Sequence, residues 1–341
     1  MKQYPILLIF LFLILSNHLA SGQSVSIEKD PKLNPAYIRD YKEMITARTY
    51  LLYEGIGFTI NPSQTDINVN YLPNIHTKVG VAAFYKWFGL GLAVRNPFYI
   101  RDSHEKGKST IIDLRVNAYG RSVAAEISYQ DYNGFYLSNS GQIIPGWKPG
   151  DVYYQRPDIE IEAFSILFYY LFNSRKHSIR AAYIQNEQQL KSSGALVLVP
   201  SFMYTKLHAD SNLIPSVFSG GGDILPQENI IKGVFYNYGI SIGYSYTFVF
   251  FKNFYLNMSL IPGAFLQASE YSSHAGSIKN HEMALLWLGR GALGFSNKKF
   301  FAGAGGVLGY NTTPLPIGNT NFHVDMNQLR IWAGMRFGIR K

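Results

Sequence analysis

The sequence predicts an all-β protein, a transmembrane antiparallel up-and-down β-barrel of about twelve to fourteen strands, exported behind a secretory leader. Three observations carry that expectation. Side chains alternate with period two over unusually long stretches, aromatic residues flank the apolar centres of those stretches, and short connections alternate with long ones. Composition agrees: 15% of the 341 residues are aromatic and only 16% are charged, against roughly 25% charged in ordinary soluble domains. The 47% apolar content excludes a disordered chain, and the lack of cysteine excludes a disulfide framework or a thiolate metal site.

The chain opens with Lys2, ten unbroken apolar residues from Ile6 to Leu15, and small residues at Ala20 and Gly22. Residues 1–22 therefore read as a signal peptide. The apolar run falls short of the roughly 20 residues that a spanning helix needs. Cleavage after Gly22 removes Lys2 and no acid, so the mature chain keeps all but one of its nine excess positive charges. With no cysteine at the cleavage point and no later window of 18 apolar residues, neither a lipid anchor nor a transmembrane helix is expected. Residues 23–43, with Pro31, Pro35 and mixed charges, read as a periplasmic lead-in, and 44–341 as the barrel.

Val234 to Phe248 gives the clearest strand. Val234, Tyr236, Tyr238, Ile240, Ile242, Tyr244, Tyr246 and Phe248 alternate with Phe235, Asn237, Gly239, Ser241, Gly243, Ser245 and Thr247. Aliphatics hold the centre of the apolar face and tyrosines its ends. Tyr236 and Tyr246 stand ten residues apart, roughly 33 Å at about 3.3 Å per residue. A tilt of about 40° projects this to roughly 25 Å, the height of a lipid-facing band between aromatic girdles. Ile112 to Tyr129 repeats the alternation around a tight turn at Gly120 to Ser122, and Leu329 to Ile339 repeats it again. In that last segment Arg330, Arg336 and Arg340 share the face opposite the aliphatics. Three arginines on one face need either water or partners. Asp158, Glu160 and Glu162, alternating with Ile159, Ile161 and Ala163, are the candidate partners across a polar lumen.

Short turns are expected near 86–88, 119–122, 173–176, 251–253 and 297–299, and long connections near 96–109, 131–157, 207–231, 270–281 and 311–325. An extra strand between Ser178 and Tyr204 would reverse the sidedness of everything before it, so the pattern leaves that parity open. The competing architecture is a soluble secreted all-β binding protein, because alternation alone does not say whether apolar side chains point to a core or to lipid. Long strands, aromatic flanks and a Gly- and Ser-rich opposite face favour the membrane barrel.

Several segments together resemble a family known only as a domain of unknown function, DUF4421, of Gram-negative bacteria. They are Tyr85 to Phe88; Asp113, Leu114, Tyr119 and Gly120; Tyr154, Arg156, Pro157 and Asp158; the run Arg180 to Gly194; and Gly243, Tyr244, Tyr246 and Thr247. The resemblance covers roughly residues 37 to 341, with Gln188 and Ser193 standing where the family pattern suggests an aromatic and an alanine. It implies a secreted, outer-membrane type of β protein without an established activity, and it supplies no catalytic residue.

The run Gln185 to Ser193 is dense in amide donors and acceptors between two apolar strands. It reads either as an exposed hairpin loop or as a polar network folded into the lumen, with Arg180 and Glu187 pairing to narrow or plug the barrel. Enzymatic signals are weak. Gly289, Gly291 and Gly294 spell a dinucleotide-type spacing but lie in an alternating segment that leads to Asn297 and Lys298 rather than to a helix. His177 beside Ser178, and His208 near Asp210 and Ser211, are the seeds of an alternative reading as a lipid-acting hydrolase. His323 with Asp325, or His281 with Glu282, offers two metal ligands and no third. No cofactor is expected, and the spread of positive charge over strand ends points away from nucleic acid, toward anionic headgroups or a cation-lined lumen. The expected partners are outer-membrane lipids and, during biogenesis, the barrel-assembly machinery, with the small solute, if one passes, unidentified. The sequence thus reads as an outer-membrane barrel rather than an enzyme, a narrow pore and a plugged barrel being the two forms open to its lumen.

Overall fold

The computed structural model describes residues 33–61, 67–75, 77–86, 88–96, 102–215, 230–273, 276–314 and 321–338; the expected leader at 1–22, part of the lead-in and Arg340 lie outside them. In chain order the strands and short helices are β1 (Ile38–Asp40), β2 (Met44–Asn61), β3 (Val69–Leu72), β4 (Lys78–Tyr85), β5 (Phe88–Arg95), α1 (Ser103–Lys106), β6 (Thr110–Tyr119), β7 (Val123–Leu137) and α2 (Ser140–Ile143). They continue with β8 (Gln155–Leu171), α3 (Ile179–Tyr183), β9 (Glu187–Gln189), β10 (Ser193–His208), β11 (Ile230–Phe250), β12 (Phe254–Ser273), β13 (Gly276–Ser296), β14 (Phe300–Pro314) and β15 (Asn321–Gly338). Among the described residues no helix is long and apolar enough to cross a membrane.

Hydrogen-bonded neighbours run β2, β15, β14, β13, β12, β11, β10, β8, β7, β3 and back to β2, so ten antiparallel strands close a ring. On its flank β4 pairs with the first half of β2 and β5 with β4, while β6 pairs with β7, which makes thirteen strands in one sheet. The expected barrel of twelve to fourteen strands is thus corrected to a closed ring of ten within a sheet of thirteen. The closed ring is smaller because four-residue β3 bridges Phe58–Ile60 of β2 to Tyr136 and Leu137 of β7.

The open question of parity has a simple answer. β8 ends and β10 begins at the same end of the cylinder, where Leu171 faces Val197, so residues 172–192 never cross the wall. The short turns after β4, β6, β11 and β13 all share that end with the Met44–Gly338 pair, and we call it the turn end. One expectation fails: no long connection spans 270–281, because β12 and β13 stay paired up to Ser273 and Gly276. The serines and asparagines there belong to strands that outrun the apolar band, where the outward face meets water and needs no aliphatic side chain.

The facing of the wall follows the period. Ile240 is 63% exposed, Ile242 51%, and Leu329 and Ile331 52% each, whereas Asn237, Ser241, Ser245 and Thr247 on the opposite face are buried. Apolar side chains therefore point away from the cylinder axis, and for these strands the polar ones point inward. At the loop end this inverts: Ile56, Phe58, Tyr71, Phe135, Ile159, Ile161, Leu207 and Phe235 form a dry core inside the cylinder, closed by β3, α2 and residues 209–214. Among the described residues the interior is therefore not one polar lumen from end to end, as the arginine face suggested.

Close approach of neighbouring strands fixes some small residues. A Cβ on Gly243 would stand 2.1 Å from the Leu260 carbonyl oxygen and 2.5 Å from Ile261 Cα, backbone atoms that cannot rotate away. Gly243→Ala is expected to cost about 1–3 kcal/mol, and Gly338→Ala, which meets nothing within 4 Å, to be near neutral. The temperature at which the unheated form converts to the unfolded band on a detergent gel reads both; equal shifts would contradict the packing described.

Candidate functional site

The segment 172–192 folds back into the turn end of the cylinder and fills it. Ser178 opens α3, its Oγ accepting a hydrogen bond from the Ala181 amide at 3.1 Å. The helix stops at Gln185, whose φ of 70° lies in the left-handed region and whose amide donates to the Arg180 carbonyl at 2.8 Å. The chain then runs as β9, which pairs antiparallel with β1 from the far N-terminal side. Gln185 to Gln189 are all buried. The lead-in is thus part of this plug, since β1 supplies one of its two strands.

Glu187 lies at its centre with 0% exposure. Arg121, from the turn between β6 and β7, grips it with Nη2 at 2.6 Å and Nη1 at 3.1 Å, while Arg180 Nη1 stands 3.4 Å away and the Ser178 hydroxyl donates to it. Two guanidiniums facing one carboxylate leave a net positive buried cluster. Desolvation on this scale is tolerable only because nearly every donor finds an acceptor. Arg180 also donates to Asn186 Oδ1 at 3.2 Å and to the Lys86 carbonyl at 3.1 Å.

The plug is tied to the wall on many sides. Arg48 of β2 donates to the Tyr183 carbonyl at 2.6 Å, and the Tyr183 hydroxyl donates to Asn257 of β12 at 2.9 Å. Gln185 Nε2 donates to the Tyr255 hydroxyl at 2.7 Å, and Gln188 Nε2 to the Ser296 carbonyl at 2.6 Å. Arg336 of β15 donates to the Gln185 carbonyl at 2.7 Å, to Ser296 Oγ at 2.9 Å and to the Asn297 carbonyl, and lies over the rings of Tyr41 and Phe301. The His177 ring bridges the Ser193 carbonyl and Ser245 Oγ of β11, each at 3.0 Å. Burial lowers the His177 pKa from 6.5 to about 4, the hydrogen bond to the Ser193 carbonyl opposing this in part.

A second layer of charge sits above the plug. Glu126 of β7 accepts from Tyr119, Tyr169 and Arg290, the last two at 2.9 Å, and the Arg290 guanidinium lies 4.8 Å from the Tyr183 ring centre. Beside it Glu54 accepts from Lys78 and Gln328 at 2.9 Å and faces Arg115 at 3.2 Å. From the turn end upward the interior is therefore an amide and ion-pair plug, a tyrosine and ion-pair layer, and the apolar core.

Of the residues singled out in the sequence, Arg180 and Glu187 come together, and Arg336 joins them through Gln185. Arg330 faces inward over the Tyr50 ring at 5.0 Å. Asp158, Glu160 and Glu162 do not meet these arginines. Their neighbours Ile159, Ile161 and Ala163 are the ones buried in the core, which turns the acids to the outer face at the loop end. There Asp158 binds Arg156 at 2.7 Å and Glu162 faces Lys206 at 3.9 Å. The expected ion pairs across the lumen fail because a dry core, not water, occupies that end. Sequence reasoning missed Arg121, set between Gly120 and Ser122 in a tight turn, and Glu126 and Arg290, each a lone charge within a strand. Gly289, Gly291 and Gly294 lie within β13, and a Cβ on Gly294 would press on the Ala302 carbonyl oxygen at 2.6 Å. His208 and Asp210, 3.8 Å apart, are exposed. His323 is buried beside Asn61, and among the described residues no three His, Asp or Glu gather to hold a metal.

The family model described as a domain of unknown function, DUF4421, matches residues 29–337. The chain belongs to the DUF4421 family. No curated protein matches this DUF4421 chain. Solved structures similar to it include the outer membrane protease OmpT from Escherichia coli, at 8% identity and a TM-score of 0.32, covering 88% of this chain and 98% of that one. The translocator domain of the autotransporter NalP from Neisseria meningitidis is 9% identical, with a TM-score of 0.34 and coverage of 97% and 99%. Ail, the attachment invasion locus protein of Yersinia pestis, is 16% identical, with a TM-score of 0.23 and coverage of 63% and 97%. None of the activities in those names transfers to the DUF4421 chain.

Two outcomes follow from the plug. Glu187→Gln keeps the shape but leaves Arg121 and Arg180 buried without a counter-charge, at an expected cost of about 3–5 kcal/mol; new protease cuts within 172–192 would report it, and an unchanged digestion pattern would refute it. For His177 the unfolded chain takes up its proton first, so its contribution is complete above pH 6.5 and is lost as pH falls toward 4. Protease access to the same segment should rise between those values, and His177→Gln should flatten the change.

Proposed function

We propose that this chain is an integral outer-membrane barrel whose lumen is sealed at rest by its own segment 172–192, passing solutes only when that segment moves. The observation that carries the reading is the lodging of Glu187, fully buried, between Arg121 and Arg180 inside the turn end. A cavity against the plug, lined by Ala181, Gln188, Tyr255 and Ser296 among others, holds about 10 Å³, on the order of the room one water needs. The membrane part of the reading is supported by the outward aliphatic faces of β11 and β15. Set in water they would be a very large apolar surface, whereas in hydrocarbon the closed ladder leaves them matched to their solvent.

A non-enzymatic role is favoured by what the candidate nucleophiles are doing. Ser178 caps α3 and donates to Glu187. The serine that does meet a histidine is Ser245, and both it and His177 are buried where no substrate reaches. The fit to a soluble binding protein is poor, because the apolar cleft of about 550 Å³ between Phe168, Phe202, Ile240 and Met283 opens on the outer wall, on the surface assigned to lipid.

The wild-type protein in a planar bilayer should be close to silent. Replacing Arg180 and Glu187 by Ala should raise single-channel conductance or the frequency of openings at least severalfold. Unchanged silence in a variant whose segment 172–192 has become protease-sensitive would remove the plug as the barrier.

A further inference from the structure

Charge is distributed unevenly between the two ends of the cylinder. At the turn end Lys86, Lys176, Lys191, Lys252, Lys298 and Lys299 are exposed and stand on four different connections around the rim. Among the described residues the acids exposed or half-exposed there are Asp40 and Glu43, and these already face Lys42 at 3.3 Å and Lys86 at 3.9 Å. Lys176 and Lys191 converge on one ring, that of Tyr37, at 5.3 and 5.7 Å. At the loop end the pattern differs: Lys106, Arg156, Lys206 and Lys279 each face a carboxylate, on Asp102, Asp158, Glu162 and Glu270.

The cationic rim borders an aromatic belt. Phe172, Phe251, Phe254, Phe300 and Phe337 are exposed at the same end, Phe251 to 84%. Exposed rings at a strand end mark the level where hydrocarbon gives way to headgroups. Lys252, Lys298 and Lys299, one or two residues from Phe251, Phe254 and Phe300 on the turns, therefore stand among the headgroups, with Lys176 four residues past Phe172 and Lys191 beside it over Tyr37; their stems lie along the apolar boundary while the ammonium groups reach the phosphates.

We propose that the turn end carries a collar that binds anionic phospholipid headgroups of the adjoining leaflet, with Lys176, Lys191, Lys252, Lys298 and Lys299 as its phosphate contacts. The inference rests on the membrane reading above and adds to it the lipid class, the end of the barrel and the residues. Charge complementarity selects the ligand, since a rim with so few acids repels cations and gains from each anionic headgroup that replaces a zwitterionic one. Orientation follows, because the collar favours whichever leaflet is richer in phospholipid anions. The plug lies just above the collar, so the same headgroups lower the potential around the net positive cluster of Arg121, Arg180 and Glu187.

The test uses the full-length mature protein reconstituted in phosphatidylcholine vesicles holding a minority of phosphatidylglycerol. Association of spin-labelled phosphatidylglycerol and spin-labelled phosphatidylcholine is compared at low and high salt. The expected result is an at least threefold preference for phosphatidylglycerol that weakens as salt rises. It should disappear when the five collar lysines become Gln, and persist when Lys206, Lys232 and Lys279 at the loop end become Gln. Equal association of the two lipids, or loss of the preference only in the loop-end variant, overturns the collar. So does retention of a soluble polyanion such as heparin by the wild-type rim without any headgroup preference. A protein that does not enter these vesicles overturns the membrane reading instead, and the salt series on the wild-type chain decides the matter even if the five-site variant does not fold.

Discussion

Eighteen consecutive residue pairs between β15 and β2, from Asn321 with Asn61 to Gly338 with Met44, turn a sheet into a cylinder. The rest of the molecule depends on that seam. A strand whose outward face is aliphatic has no water beside its backbone, so each amide and carbonyl must be satisfied by a neighbouring strand. An open edge at either β2 or β15 would leave a row of such groups bare. The two strands that meet are also the first and last long strands of the chain, so the wall is complete only when its final residues have been placed.

Closure creates an interior, and ten strands enclose one that side chains can fill. The protein fills it with three kinds of matter rather than one. Large aliphatic and aromatic residues close the loop end as they would the core of a soluble domain. Tyrosines around Glu126 and Arg290 fill the middle, their rings supplying volume and their hydroxyls supplying donors. The turn end is filled by amides and ion pairs. Buried charge is a poor source of stability, since desolvation consumes most of what attraction returns. Its use here is geometric: a carboxylate held by two guanidiniums from separate elements accepts few alternative positions.

The wall was readable in the sequence because lipid and interior impose opposite demands on alternate residues, and Val234 to Phe248 meets both over its whole length. The same logic misled at Asp158, Glu160 and Glu162. Alternation says that two faces differ but not which is inside, and near the loop end water lies outside while hydrocarbon-like packing lies within, so the polar face turns outward. The plug was half readable. A dense amide run between apolar strands announced a place where backbone and side chains bond to something other than a ladder, and Arg180 with Glu187 fell within it. Arg121 and β1 were not readable, because their partnership with residues 187–189 is set by tertiary closure and by no local pattern.

The pairing of β1 with β9 bears on how the molecule comes into being. Ile38 meets Gln189 across a stretch of chain that includes seven strands of the sheet, so the loop that must close between them is long, and its entropy is recovered only once much of the wall stands. Segment 172–192 is moreover continuous with β8 and β10 at its two ends, which lets it swing but never depart. Seating the stopper is therefore a contact whose entropic cost only an assembled wall repays.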